Sequence, residues 1–166
     1  MSRLDGADLA LAAHNALLAR SETIAVAESL TGGLVGAVLT SVPGASATFR
    51  GGVVVYATDL KHTLAGVPDD LLAAEGPVSR LTAEAMASGV RRRLTADWGL
   101  ALTGVAGPTP QDEQPVGAVH VALTGPDGTV AVRSMVLEGD RAEIRDAAVV
   151  AALRLVLDKV AAPAPG

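Results

Sequence analysis

The 166-residue sequence has no cysteine and only one tryptophan, one tyrosine and one phenylalanine. Without thiols there are no disulfide staples, no thiolate zinc sites and no cysteine nucleophile. So few aromatics leave no stacking platform for single-stranded bases. Positive charge is scarce too: 13 Lys and Arg stand against 18 Asp and Glu, a net charge of −5. Neutralising phosphates along a nucleic acid needs a concentrated basic face, so no nucleic-acid partner is expected. No stretch approaches the ~20 uninterrupted apolar residues of a membrane-spanning helix. The opening residues Met1 to Asp8 place Asp5 and Asp8 where a secretory signal wants cations and then an apolar run. The expectation is a soluble cytoplasmic protein with no membrane partner.

What remains is 49% hydrophobic, so the core is built from Ala, Val and Leu. The length fits one domain over 1–166 with a substantial core. The tail Ala161-Ala162-Pro163-Ala164-Pro165-Gly166 cannot continue a helix through its prolines and is expected to fray.

Apolar spacing predicts a helix over Leu4–Ala19, a buried strand over Thr23–Ala27 and a second helix over Leu34–Thr40. A β-branched strand is read over Gly51–Tyr56, then short helices over Asp59–Leu64 and Asp69–Ala74. Ser79 opens a helix running to Leu94, and Trp98–Thr103 is a third strand. Val116–Leu123 and Val130–Leu137 flank Gly125-Pro126-Asp127-Gly128, a hairpin signal. Asp140 then caps a long helix to Val160, whose Ala/Val-rich surface serves equally to cover the sheet or to bury a second copy. The order implies a three-layer α/β/α sandwich with a mixed, mostly parallel sheet of about five strands.

In open α/β sheets, ligands gather beyond the carboxyl ends of the strands. Three segments reach that edge: Glu28-Ser29-Leu30-Thr31-Gly32-Gly33, Tyr56 to Lys61, and Thr103 to Pro108. Ser29 sits at a strand-to-helix junction, where N–H groups of Thr31, Gly32 and Gly33 are available to an oxyanion or a phosphate. Two readings compete for Ser29: a nucleophile, and the commoner helix cap. A serine nucleophile needs a base. His120 lies within an apolar strand and His14 in the first helix, away from the edge; His62 is the competitor of its neighbour Lys61. Lys61 acts as a base only when neutral, which requires desolvation or a neighbouring cation. Tyr56 is placed to relay the proton or orient the amine; the plainer alternative is an exposed hydroxyl beside a solvated cation.

The Gly104–Pro108 loop suits an anion nest, yet it lacks the Gly-Lys-Ser/Thr ending of a phosphate loop. No Gly-x-Gly-x-x-Gly follows the first strand, so no dinucleotide cofactor is expected. Arg91-Arg92-Arg93 fall in the last turn of a helix, where cations suit the dipole. Arg141, near the start of the final helix, is poorly placed for its dipole and calls for either a ligand phosphate or carboxylate or a surface salt bridge. Asp112 and Glu113 have no i, i+4 histidine pair or other ligand cluster around them, so no metal is expected.

Six ordered blocks carry a resemblance. They are Ala27 to Gly33; Gly52 to Tyr56 with Lys61; Gly76-Pro77-Val78-Ser79; Thr103 to Pro108; Pro115-Val116-Gly117; and Gly139-Asp140-Arg141. Together, from about Leu9 to Val160, they resemble the CinA C-terminal domain, the family of nicotinamide-nucleotide amidases also called PncC. The resemblance implies hydrolysis of nicotinamide mononucleotide to nicotinate mononucleotide and ammonia, with Ser29 as nucleophile assisted by Lys61 and Tyr56. It further implies an α/β/α sandwich with a mixed five-strand sheet. Glu28, Thr31, Gly32, Gly33, Thr58, Thr103, Gly104, Ala106, Gly107 and Arg141 are the candidate substrate-binding residues. The usual molybdopterin-binding-like companion domain has no counterpart in the sequence, which resembles the stand-alone form. Leu30 departs from a common cysteine, Thr58 from asparagine and Gln114 from lysine. Thr109-Pro110-Gln111-Asp112 replaces a frequent Asp-Gly-Gly, in a loop expected to shape the substrate mouth. The competing readings are a catalytically silent nucleotide-binding module of the same fold and an amidase or esterase for another small substrate.

Overall fold

A computed structural model describes residues 3–163. Its elements are α1 (Arg3–Ala19), β1 (Ile24–Glu28), α2 (Leu34–Thr40), β2 (Phe49–Val54), α3 (Thr58–Thr63), α4 (Asp69–Glu75), α5 (Arg80–Arg93), β3 (Trp98–Gly104), β4 (Ala118–Thr124), β5 (Val130–Val136) and α6 (Arg141–Val160). The last three residues of the tail expected to fray lie outside the described residues. No helix among the described residues is long and apolar enough to cross a membrane.

The five strands run in the order β2-β1-β3-β4-β5. β1 pairs in parallel with β2 and β3, whereas β3–β4 and β4–β5 are antiparallel. The mixed sheet is as expected, but its pairings divide evenly instead of being mostly parallel. The reason is the connection from Gly104 to Ala118, which contains no helix. Parallel neighbours need a crossover element, and without one the chain turns back beside β3.

Residues alternate between the two faces of each central strand. Ile24, Val26, Leu100, Leu102, Val119, Val121 and Leu123 face a core shared with α1, α2 and α6. Ala25, Ala27, Ala101 and Ala122 face a second core with Val55, Val67, Met86 and Val90 on the α5 side. Large side chains therefore fill one face and alanines the other. The small face draws α5 very close: a Cβ on Gly99 would stand 2.1 Å from the Ala87 carbonyl oxygen. Tight packing of small residues is how a chain so poor in aromatics fills its interior.

Local signals fix the helix ends. Ser79 Oγ accepts from the Thr82 N–H at 3.0 Å and opens α5. Asp140 and Glu143 form a reciprocal capping box that opens α6. At the end of α5, Arg91 donates to the Asp97 carbonyl oxygen at 2.6 Å, and Arg93 to that of Thr63. Arg91 thus ties down the exit of its own helix and Arg93 the end of α3.

Candidate active site

Because β1, β2 and β3 are parallel, their carboxyl ends lie along one edge of the sheet. There a pocket is lined by Ser29, Leu30, Tyr56, Thr58, Pro77, Val78, Gly104, Ala106, Gln111, Asp112 and Arg141. All three segments expected at this edge contribute to it.

Lys61, on α3, runs back under the pocket floor and is 2% exposed. Its Nζ donates to Ser29 Oγ at 3.1 Å and to the Val55 carbonyl oxygen at 2.9 Å. No carboxylate among the described residues lies within ion-pair distance of it. Burial therefore pushes the amine down from 10.5 to about 8, while the negative charge of Asp112 partly opposes the fall. His62, the competitor, turns elsewhere: its Nδ1 lies 2.7 Å from the Val67 carbonyl oxygen and 3.5 Å from Asp69. His14 is bonded to Thr48 and His120 to Ser134.

Ser29 caps no helix. It follows β1, and α2 begins only at Leu34. The intervening Ser29–Gly32 segment closes as a turn, with the Gly32 N–H donating to the Ser29 carbonyl oxygen at 3.0 Å. Gly32 and Gly33 both adopt positive φ, at 58° and 106°. Their left-handed backbone is what lets the chain enter α2 from this turn. The amides of Leu30 and Thr31 have no hydrogen-bond partner among the described residues.

Several expected binding residues have other occupations. Glu28 is 2% exposed and turns to the opposite side of the sheet from Lys61, against α2. Its carboxylate accepts from the Val35 N–H at 2.8 Å and the Gly36 N–H at 3.1 Å. The first free donors of α2 are thus satisfied internally and not offered to a ligand. Gly33 lines a separate hollow with Glu28, Gly36 and Phe49. Thr31 is fully buried, its Oγ1 without a partner among the described residues. Thr103 is also buried and donates to the Pro77 carbonyl oxygen at 2.6 Å, fixing one pocket wall.

Tyr56 is 59% exposed at the mouth. Its hydroxyl accepts from Arg141 Nη2 at 3.0 Å and has no hydrogen bond to Lys61. Orienting the amine falls to the neighbouring Val55 carbonyl. Arg141 also donates to the Gly107 carbonyl oxygen at 2.5 Å, so both its partners are neutral and its charge remains available in the pocket. Thr58, Gly104 and Ala106 line the same pocket directly, and Gln111 and Asp112 bring the divergent loop over it.

Sequence reasoning missed Arg145. From α6 its Nε donates to the Leu30 carbonyl oxygen at 2.9 Å and its Nη2 to that of Thr31 at 3.3 Å. A signal existed: Arg145 stands four residues after Arg141, so the two side chains leave the same face of the helix.

The family profile of the CinA C-terminal domain matches residues 6–160. A CinA-like protein from Frankia casuarinae is 63% identical over 140 residues, covering 84% of this chain and 32% of its own length. A CinA-like protein from an Anaeromyxobacter species is 53% identical over 141 residues, covering 84% and 34% respectively. The chain thus spans about a third of the length of these curated relatives. Among solved structures, the competence/damage inducible protein CihA from Agrobacterium tumefaciens superposes with a TM-score of 0.89 at 37% identity, covering 93% of this chain and 94% of that one. A CinA superfamily protein from Escherichia coli gives 0.89 at 28% identity, covering 95% and 92%. The chain belongs to the CinA C-terminal domain family.

Proposed function

We propose that this member of the CinA C-terminal domain family is a serine amidohydrolase that converts nicotinamide mononucleotide to nicotinate mononucleotide and ammonia. The observation that carries the reading is the 3.1 Å contact between Ser29 Oγ and a lysine amine buried without an acidic partner. A hydroxyl is a weak nucleophile until a base takes its proton. An amine with a pKa of about 8 is neutral in roughly a tenth of molecules at pH 7, against fewer than ~1 in 1,000 for an ordinary lysine.

Ser29 Oγ attacks the carboxamide carbon while Lys61 Nζ takes the hydroxyl proton. The C–N bond then breaks, and the same proton passes from Lys61 to the departing nitrogen, which leaves as ammonia. Water, deprotonated by the again neutral amine, hydrolyses the ester and restores Ser29 with release of the carboxylate. The Leu30 N–H, on the residue that follows the nucleophile in the pocket lining, is the nearest donor for the oxyanion.

The charges of the pocket support a zwitterionic substrate. Arg141 presents a cation bonded only to neutral groups, and Asp112 presents an anion with no ion-pair partner among the described residues. A pyridinium ring joined to a phosphate matches both signs. This reading makes a free small-molecule nucleotide the partner and the cytoplasm its place of action.

The test is ammonia release from nicotinamide mononucleotide by purified protein, alongside Ser29→Ala. Wild-type turnover with at least a ~10³-fold loss in a folded Ser29→Ala protein is expected. Wild-type-like turnover in that variant overturns the covalent mechanism. Binding without ammonia release identifies a silent nucleotide-binding module instead.

A further inference from the structure

The turn after Ser29 is gripped from outside. Ser29 to Gly32 form a β-turn whose closing bond is Gly32 N–H to the Ser29 carbonyl oxygen, at 3.0 Å. The middle peptide of such a turn, Leu30–Thr31, is the unit that flips between turn types. Thr31, the third residue of the turn, is not among the residues with positive φ, so the flipped form that requires it is not the one adopted. The carbonyl of that peptide is held by Arg145 Nε at 2.9 Å, and the next carbonyl, of Thr31, by Nη2 at 3.3 Å. A trans peptide directs N–H and C=O in opposite senses. With its oxygen on Arg145, the Leu30–Thr31 unit turns the Thr31 N–H away from α6. The Ser29–Leu30 unit has its own oxygen tied to Gly32. Both carbonyls are thereby occupied, and the two N–H groups they oppose, of Leu30 and Thr31, are the ones left without partners.

We propose that Arg145 is a positioning residue: its guanidinium, on the Leu30 and Thr31 carbonyls, holds the turn in the form that presents the Leu30 N–H, beside Ser29 in the pocket lining, as the oxyanion-binding donor. The proposal rests on the acyl-transfer reading given above. The fit is specific to a guanidinium, whose planar fork spans two neighbouring acceptors where an ammonium offers one compact charge. Gly32 belongs to the same device: a Cβ there would stand 3.4 Å from Arg145 Nη2, at a φ of 58° that already favours glycine.

The experiment compares wild type, Arg145→Ala and Arg145→Lys, with Ser29→Ala as control. Two readouts are used: steady-state hydrolysis of nicotinamide mononucleotide, and the rate at which a fluorophosphonate labels Ser29, followed by mass spectrometry. Labelling forms the Ser29 O–P bond, expels fluoride and leaves a tetrahedral phosphonyl group whose oxygen occupies the oxyanion site, whatever the natural substrate is. Loss of one oxyanion donor costs about 10²–10³-fold in other serine hydrolases, so Arg145→Ala is expected to lose ~100-fold in kcat and in labelling rate. KM stays near the wild-type value, Arg145→Lys recovers little, and added guanidinium ion restores part of the Arg145→Ala rate. A folded Arg145→Ala or Arg145→Lys protein with wild-type kcat and labelling rate overturns the proposal. So does a loss that appears wholly in KM. Arg145-dependent labelling in a protein that releases no ammonia retains the positioning role and removes the substrate assignment. Absence of both labelling and turnover in the wild type removes both.

Discussion

Glu28 and Lys61 are buried to the same degree, each 2% exposed, on opposite sides of the sheet at its carboxyl edge. Their partners separate them. Glu28 faces two backbone N–H groups at the start of α2, donors that lack intrahelical partners and favour a negative charge. Lys61 faces a hydroxyl and a carbonyl, which accept its hydrogen bonds but bring no opposite charge. The first arrangement satisfies the carboxylate's acceptors; the second leaves a buried amine without a counter-charge and lowers the lysine pKa to about 8. Depth alone does not mark a reactive group. The chemistry of the contacts does, and one residue step along β1, from Glu28 to Ser29, passes from the face with structural logic to the face with reactive logic.

The largest effect is expected at Lys61. Lys61→Met removes the one basic group among the described residues that is hydrogen-bonded to Ser29 and should reduce ammonia release at least ~10³-fold, measured by coupled assay. If Lys61 is the base, wild-type kcat/KM rises with pH through about 8 and levels above it. The same group leaves a trace in stability. In the unfolded chain a lysine holds its proton up to 10.5, whereas the folded protein releases it near 8. Between those values the unfolded state binds more protons, so folding stability climbs as pH rises. Relative to Lys61→Met, the wild type gains up to ~3 kcal/mol across that window and nothing below it. Urea unfolding at pH 7 and pH 10 checks this; parallel curves for the two proteins would show that the amine is not desolvated.

Glu28→Ala should reverse the pattern. It strands the Val35 and Gly36 N–H groups and removes a charge suited to the helix start, a loss of ~2–3 kcal/mol. For a chain of this size that is a fall in Tm of about 5–10 °C, measurable by calorimetry. Below its transition the variant is expected to match the wild type in ammonia release, since the Glu28 carboxylate is bonded to the Val35 and Gly36 N–H groups and not to Ser29 Oγ or Lys61 Nζ. A Glu28→Ala protein as stable as wild type but inactive would move Glu28 into the chemistry and erase the contrast.

The sequence made the layers of the fold legible because each depends on local patterning. Alternation of Leu with Ala in β3, the Gly125–Gly128 turn and the Asp140 cap act within a few residues. The antiparallel β3–β4 pairing was not written in any strand; it follows from the length and content of the loop between them. At the site, the residues alone left Ser29 between nucleophile and helix cap and Lys61 between base and solvated cation; it was the resemblance carried by the ordered blocks that selected them. Glu28 was misjudged through a boundary. β1 ends at Glu28 and not at Ala27, and alternation then sends Glu28 and Ser29 to opposite faces. The partner of Tyr56 lies 85 positions away on α6, and Arg145 lies 115 from Leu30. Separations of that size are set by the packing of α6, which no local pattern encodes.

The smallest effect tests the comparison most finely. Asp112 is the one group that raises the Lys61 pKa against the pull of burial, and it does so across the pocket, without an ion pair. Asp112→Asn removes that opposition, so the amine titrates lower and the acidic limb of kcat/KM moves to lower pH. The interaction passes through solvent at the pocket mouth, so the displacement shrinks as salt is raised toward ~1 M, where the screening length falls to about 3 Å. Glu113→Gln, one residue further along and outside the pocket lining, supplies the control and leaves the limb in place. A limb that ignores Asp112 while Lys61→Met abolishes activity would mean that the lysine holds Ser29 without being the group whose proton loss sets the rate.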